Sequence, residues 1–230
     1  MKKMKKLLLA ATLFAFTSSV FAQTFNIGLK AGINSQKITT DSPNISGYTF
    51  SNFKSDVKMG YNIGGFARLG FNKVYIQPEL LYSDRKGNTD LNITNSSNTF
   101  ETGLTTGLYS QSVDVKSIQV PLLLGYKLLD LKLASVRVFT GPAMSIILNN
   151  SSMKLTSAGG GAVNPNLYNP DTFKSNVWNW QLGGGVDVGP LVLDVRYEWG
   201  LTNVSTGDVS KVGFVNKGNT LTFSLGFKLL

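Results

Sequence analysis

The last forty residues restrict the fold more than any other stretch of the chain. In Leu191-Val-Leu-Asp-Val-Arg-Tyr-Glu-Trp-Gly-Leu201, the side chains of Leu191, Leu193, Val195, Tyr197, Trp199 and Leu201 share one face. Asp194, Arg196, Glu198 and Gly200 take the other. Asn219-Thr-Leu-Thr-Phe-Ser-Leu-Gly-Phe-Lys-Leu-Leu230 repeats the pattern, with Leu221, Phe223, Leu225, Phe227 and Leu229 opposite Thr222, Ser224, Gly226 and Lys228. Period-two alternation over some ten residues marks a β-strand whose two faces meet different surroundings. In a soluble sheet the apolar face meets a core. In an outer-membrane barrel it meets lipid, and the polar face lines the lumen.

The same alternation recurs upstream over residues 25–33, 57–71, 74–85, 112–129, 136–148 and 176–188, giving about eight strands in all. The links near Asn72, Asp130 and Gly189 are only a few residues long. The other links, 35–56, 87–111, 150–174 and 205–218, are long and rich in Asn, Ser, Thr and Gly. Short links alternating with long ones are the habit of a transmembrane meander, with tight turns on the periplasmic side and longer loops outside. The expected fold is therefore all-β: an antiparallel, up-and-down transmembrane β-barrel of about eight strands, with both termini periplasmic. A short hairpin around residues 153–156 could extend the sheet above the membrane.

The first residues give the route. Lys2, Lys3, Lys5 and Lys6 precede a short apolar run, residues 7–16, and Val20-Phe21-Ala22 forms a small-x-small site before Gln23. This is the layout of a secretory signal peptide cut between Ala22 and Gln23, since the apolar run falls well short of the ~20 residues of a spanning helix. The expected division is residues 1–22 as signal peptide and 23–230 as barrel domain. The chain has no cysteine, so it carries neither disulfides nor a lipidated cysteine. Removing four lysines leaves eighteen basic against thirteen acidic residues, and the net charge falls from +9 to +5. That excess suits lipid and lipopolysaccharide phosphates, and nucleic acid is not an expected partner.

Tyr61, Tyr82, Tyr126, Trp178, Trp180, Tyr197 and Trp199 fall on apolar faces, many near strand ends. Such rings favour the lipid–water boundary. Together with Asn26-Ile-Gly-Leu-Lys-Ala-Gly-Ile-Asn34, Ile118-Gln-Val-Pro-Leu-Leu-Leu-Gly-Tyr126, Gly141-Pro142, Gly183-Gly-Gly-Val-Asp187 and Asp194-Val-Arg-Tyr-Glu-Trp-Gly-Leu-Thr-Asn203, the mature chain resembles the porin-family outer-membrane β-barrel domain of Bacteroidetes. The resemblance implies a small barrel inserted by the outer-membrane assembly machinery. It departs from the family pattern at its end, Lys228-Leu-Leu230, where an aromatic residue is usual.

The inventory of side chains narrows the chemistry. There is no histidine, which removes Ser-His and His-Asp catalysis, and no His or Cys to hold zinc. Gly159-Gly-Gly161 and Gly183-Gly-Gly185 lack the Lys-Ser/Thr of a phosphate loop. No enzyme activity, metal or cofactor is expected; a carboxylate-pair hydrolase on Asp194 and Glu198 is the residual enzymatic reading. Strand parity instead assigns to the lumen Lys30, Lys58, Arg68, Glu79, Arg85, Lys127, Arg137, Asp187, Asp194, Arg196, Glu198 and Lys228. Charges in a narrow barrel must be paired or hydrated, so a charged network filling the lumen is expected. The alternatives are an anion-leaning channel for small solutes, surface-ligand binding through the long loops (Tyr48, Phe50, Phe53, Tyr168 and Phe173 being candidate contacts), and a soluble exported barrel with a lipophilic ligand and opposite parity.

Overall fold

The computed structural model describes residues 23–41, 48–95, 107–131, 133–148, 151–157, 174–202 and 215–230. They form nine strands: β1 Gln23–Asp41, β2 Tyr48–Phe71, β3 Val74–Asn95, β4 Gly107–Asp130, β5 Ala134–Ile147, β6 Ser152–Ser157, β7 Asn176–Val188, β8 Leu191–Gly200 and β9 Val215–Lys228. All pairings are antiparallel. The order β3-β2-β1-β9-β8-β7-β5-β4 closes through β3–β4 into an eight-stranded barrel. The seam between the chain's first and last barrel strands runs from Gly28↔Lys228 to Asp41↔Val215.

Local chemistry explains the tight end of the barrel. Between β2 and β3, Asn72 takes the left-handed conformation (φ 56°), which asparagine tolerates better than most residues. Between β7 and β8, Gly189 does the same before Pro190, where a missing Cβ removes the penalty. The β4–β5 link is held by the Leu131 N–H donating to the Ala134 carbonyl at 2.8 Å.

At the opposite end the strands are longer than the alternation suggested. β2, β3 and β4 hold 24, 22 and 24 residues, against about 9–11 for a bilayer crossing. Much of the expected loops 35–56 and 87–111 is paired strand, with the β3–β4 ladder running as far as Ile93↔Gly107. In this part of β3, Asp84, Lys86, Asn88 and Asp90 alternate with Ser83, Arg85 and Thr89, so the apolar period that identifies a strand is missing there although the backbone pairing continues. Tyr48, Phe50 and Phe53 accordingly lie in β2 and not in a loop. Tyr168 and Phe173 lie outside the described residues. The expected hairpin near residues 153–156 is instead a single strand, β6, which takes over from β5 along β4. At the break, Lys116 N–H donates to Ser151 Oγ at 3.0 Å, and the same hydroxyl donates back to the Lys116 carbonyl at 3.2 Å. One serine thus stands in for the missing ladder bonds.

The two faces of the wall divide as for a barrel in lipid. Outward positions are apolar: Leu29, Ile33, Ile63, Leu80, Leu122, Leu182, Leu193 and Leu225 are all exposed, Leu29 to 60%. Inward positions of the same strands are buried and mostly polar. This parity rules out the soluble barrel with an apolar lumen, because forty large apolar side chains exposed among the described residues would face water. Aromatic rings mark the edges of the apolar band. Tyr61 and Tyr82 lie 6.2 Å apart, and Tyr197 and Trp199 meet edge-on at 4.8 Å; Trp178 and Trp180 stand beside them towards the loop end. Phe25, Phe71 and Tyr126 mark the turn end.

Candidate functional site

Eight strands enclose a bore just wide enough for side chains to fill, and here the filling is charged. From the turn end, Asp187 of β7 accepts from Arg68 of β2, from Arg137 Nε of β5 at 2.9 Å and from Lys228 Nζ of β9 at 3.0 Å. Arg137 continues to Asp194 of β8, which also meets Lys30 Nζ of β1 at 2.5 Å. Lys30 reaches Glu79 of β3 at 2.8 Å, and Arg196 of β8 donates twice to the same carboxylate at 2.8 and 2.9 Å. Arg196 Nη1 also donates to Gln181 Oε1 at 3.1 Å, whose amide nitrogen donates to Glu198 at 2.6 Å. Glu198 then pairs with Arg85 at 2.6 Å. One ladder of ion pairs and hydrogen bonds therefore runs the length of the lumen, with rungs from seven of the eight barrel strands.

Alternation makes the ladder. Inward side chains repeat every second residue, so β8 presents Asp194, Arg196 and Glu198 one above another, and β7 presents Asp187 and Gln181 to the same interior. Rings sit between the charges: Arg68 lies over Tyr75 at 4.9 Å, and Arg137 and Arg196 each lie 5.4 Å from the centre of Phe139. Tyr75, Leu123 and Phe139 form a small apolar plug among them. Packing against rings removes water from the guanidinium faces while leaving their edges for carboxylates.

The structure brings together ten of the twelve charges that parity assigned to the lumen: Lys30, Arg68, Glu79, Arg85, Arg137, Asp187, Asp194, Arg196, Glu198 and Lys228. Two stand apart. Lys58 is exposed at the loop-end rim. The β2–β3 register shifts between Val57 and Tyr61, and Lys58 falls in this bulge, exposed like its neighbour Met59. Lys127 is at the turn-end mouth and pairs with its neighbour Asp130 at 3.0 Å, away from the ladder. Asp194 and Glu198 occupy separate ion clusters and do not face a common open space, which removes the arrangement that a carboxylate-pair hydrolase requires.

Parity could have found more. Gln77, Gln119 and Gln181 are inward and fully buried, and they tie the acids to the wall: Gln77 Nε2 donates to Glu79 at 2.6 Å and Gln119 Nε2 to Glu198 at 3.3 Å. Being uncharged, they gave no reason to be singled out. Tyr75 has the same parity, and its hydroxyl accepts from Arg137 Nη1 at 3.3 Å. At each mouth a small space is left. The turn-end cavity is about 140 Å³ and is lined by Asn26, Arg68, Lys127, Ser135, Asp187 and Lys228 among others. The loop-end space is about 30 Å³, beside Arg85 and Ser145.

Comparison with known proteins gives the setting. Among solved structures, the chain is similar to Ail, the attachment invasion locus protein of Yersinia pestis, in complex with the heparin analogue sucrose octasulfate: 13% identity, 89% of this chain and 99% of that one, TM-score 0.42. It is also similar to the outer membrane protein OprG of Pseudomonas aeruginosa, at 14% identity over 90% of this chain and 95% of that one, TM-score 0.38. No curated protein matches significantly. The outer membrane protein beta-barrel domain matches residues 21–206. A closed eight-stranded barrel with an apolar outside, and a family match over most of its length, lead to one conclusion: this chain belongs to the outer membrane protein β-barrel domain family.

Proposed function

We propose that the protein is a closed outer-membrane barrel with a structural and surface-interaction role, not an enzyme and not an open pore. The observation that carries this reading is the uninterrupted ladder from Lys228 to Arg85, which fills the bore. Support for the surface role comes from β3, which continues from residue 83 to residue 95 beyond the boundary ring of Tyr82. At ~3.3 Å per residue that is a projection of about 40 Å along the strand. Partners on that side would be a surface ligand and lipopolysaccharide. Residues 1–22 would act as the signal peptide, cut before Gln23, with the termini periplasmic and insertion by the barrel assembly machinery. Membership of the porin-family branch of Bacteroidetes fits the motifs quoted above.

The second reading is an anion-leaning channel, favoured by the cationic excess of the ladder. Planar-bilayer recording of the refolded, heat-modifiable protein separates the two. A silent, correctly folded barrel is the expected result. Steady conductance that changes size on Arg68→Ala or Glu79→Ala would make the lumen a solute path and overturn the closed-barrel reading.

A further inference from the structure

The charges of the ladder do not cancel, and the surplus lies at one end. Six cations (Lys30, Arg68, Arg85, Arg137, Arg196, Lys228) meet four carboxylates (Glu79, Asp187, Asp194, Glu198), which leaves +2. Glu198 is balanced by Arg85 at the loop end, and Glu79 and Asp194 are balanced in the middle by Lys30 and Arg196. At the turn end, Asp187 by itself faces Arg68, Arg137 and Lys228. Lys127 and Asp130 beside it cancel each other. Unneutralised charge held in so narrow a bore is costly, so a stable barrel needs a counter-charge there.

That end also has the room. The cavity of about 140 Å³ is lined by donors from five strands: Asn26 of β1, Arg68 of β2, Lys127 of β4, Ser135 of β5 and Lys228 of β9. Arg68 is 97% buried, its side chain turned to this end, and its Nη2 finds no hydrogen-bond partner. Both carboxylates on the lining, Asp130 and Asp187, already hold cations. We propose that the turn-end mouth is an anion site for a phosphoryl group, free or carried on a lipid headgroup, bound by Lys228, Lys127 and the Arg68 guanidinium. A phosphoryl dianion matches the two surplus charges, and its oxygens can accept from donors converging from several sides. The site does not depend on whether the lumen conducts.

The test uses the full-length mature barrel refolded in detergent, titrated with inorganic phosphate against chloride at equal ionic strength, with the unfolding temperature as readout. A saturable rise with phosphate is expected. Lys228→Gln and Lys127→Gln, both at the rim and tolerable to the fold, should each weaken half-saturation about tenfold. Lys58→Gln, at the other rim, should leave it unchanged. A second arm compares nanodiscs of phosphatidylcholine with and without phosphatidic acid. A rise that needs phosphatidic acid, is lost in Lys228→Gln and has no counterpart with free phosphate would assign the lipid headgroup as the source. No phosphate response in either arm, or an equal loss in Lys58→Gln, would overturn the site.

Discussion

Arg196 clasps Glu79 across the bore with both terminal nitrogens, Nη1 to Oε2 at 2.8 Å and Nη2 to Oε1 at 2.9 Å. The two residues stand on β8 and β3, strands that are not neighbours in the barrel, and 117 positions apart in sequence. The pair is therefore a cross-brace, and Lys30 adds a third cation contact to the same carboxylate.

Removing that acid should be severe. Glu79→Gln keeps the shape but leaves Arg196 and Lys30 short of one negative charge in a dry interior. Breaking a buried ion pair costs about 3–5 kcal/mol. The urea midpoint of the refolded barrel should fall accordingly, and the heat-modified gel band should appear at lower temperature. An unchanged midpoint would mean that water already carries these charges.

Acid should spare one part of the protein. Asp84 lies one step beyond the Tyr61–Tyr82 boundary, buried, with no lysine in ion-pair contact among the described residues. Its surroundings are Tyr61 of β2, Tyr82 and Lys86 of β3, and Asp114 and Lys116 of β4. Burial first, then the adjoining Asp114 carboxyl, pushes the Asp84 carboxyl above its ordinary value. A raised folded-state value means the native barrel binds the proton more tightly than the unfolded chain, so this residue's contribution to stability falls as pH rises above about 4. Asp84→Asn should thus stabilise the barrel at pH 7 and make no difference near pH 3. Urea unfolding at the two pH values checks it, and destabilisation at pH 7 would contradict it.

Tyr75 and Gly125 should behave as one unit. A Cβ on Gly125 would lie 2.0 Å from Cζ of the Tyr75 ring, in the tightly filled lower lumen. Gly125→Ala should cost about 1–3 kcal/mol by overpacking. Shortening the ring in Tyr75→Leu should remove that penalty, so the double variant should be more stable than the sum of the single losses implies. Four unfolding curves make the cycle.

The outer face should reject charge. Leu193 is exposed in the middle of β8, between Leu225 and Val186 on the flanking strands. Leu193→Arg should cost about 2–4 kcal/mol in a bilayer, as at a midplane position, and very little in a water-facing wall. Refolding into vesicles, followed by denaturant unfolding, distinguishes them.

How much of this was legible followed from where the two faces differ. Between the aromatic rings, lipid and lumen impose opposite chemistry, so Leu193, Val195 and Tyr197 separate cleanly from Asp194, Arg196 and Glu198, and strand identity, parity and the barrel could be read directly. Beyond Tyr82 polar residues fall on both faces of the strand. Thr89 and Asn92 then carry no sign of being paired, although they are opposite Ser55 and Ser51. Lys58 shows the other weakness of parity: it lies opposite buried Gln36 of β1, on the lumen face, and yet is exposed, because alternation does not tell how far along the bore a side chain stays covered. Which cation meets which acid depended on register around the whole bore, which alternation within one strand does not contain.

The seam between β1 and β9 sets the terms on which the molecule can be made. Lys30, on the first strand, needs Asp194, 164 residues later, and β9 must pair with β1 before the cylinder has no open edge. A chain stopped before residue 215 would leave β1 and β8 each with an unpaired rim, and half the ladder facing hydrocarbon. Contacts this distant in sequence form slowly and late. Such a barrel is all or nothing: partial products have no comfortable resting state in the bilayer, and the last strand to arrive is the one that makes the others permanent.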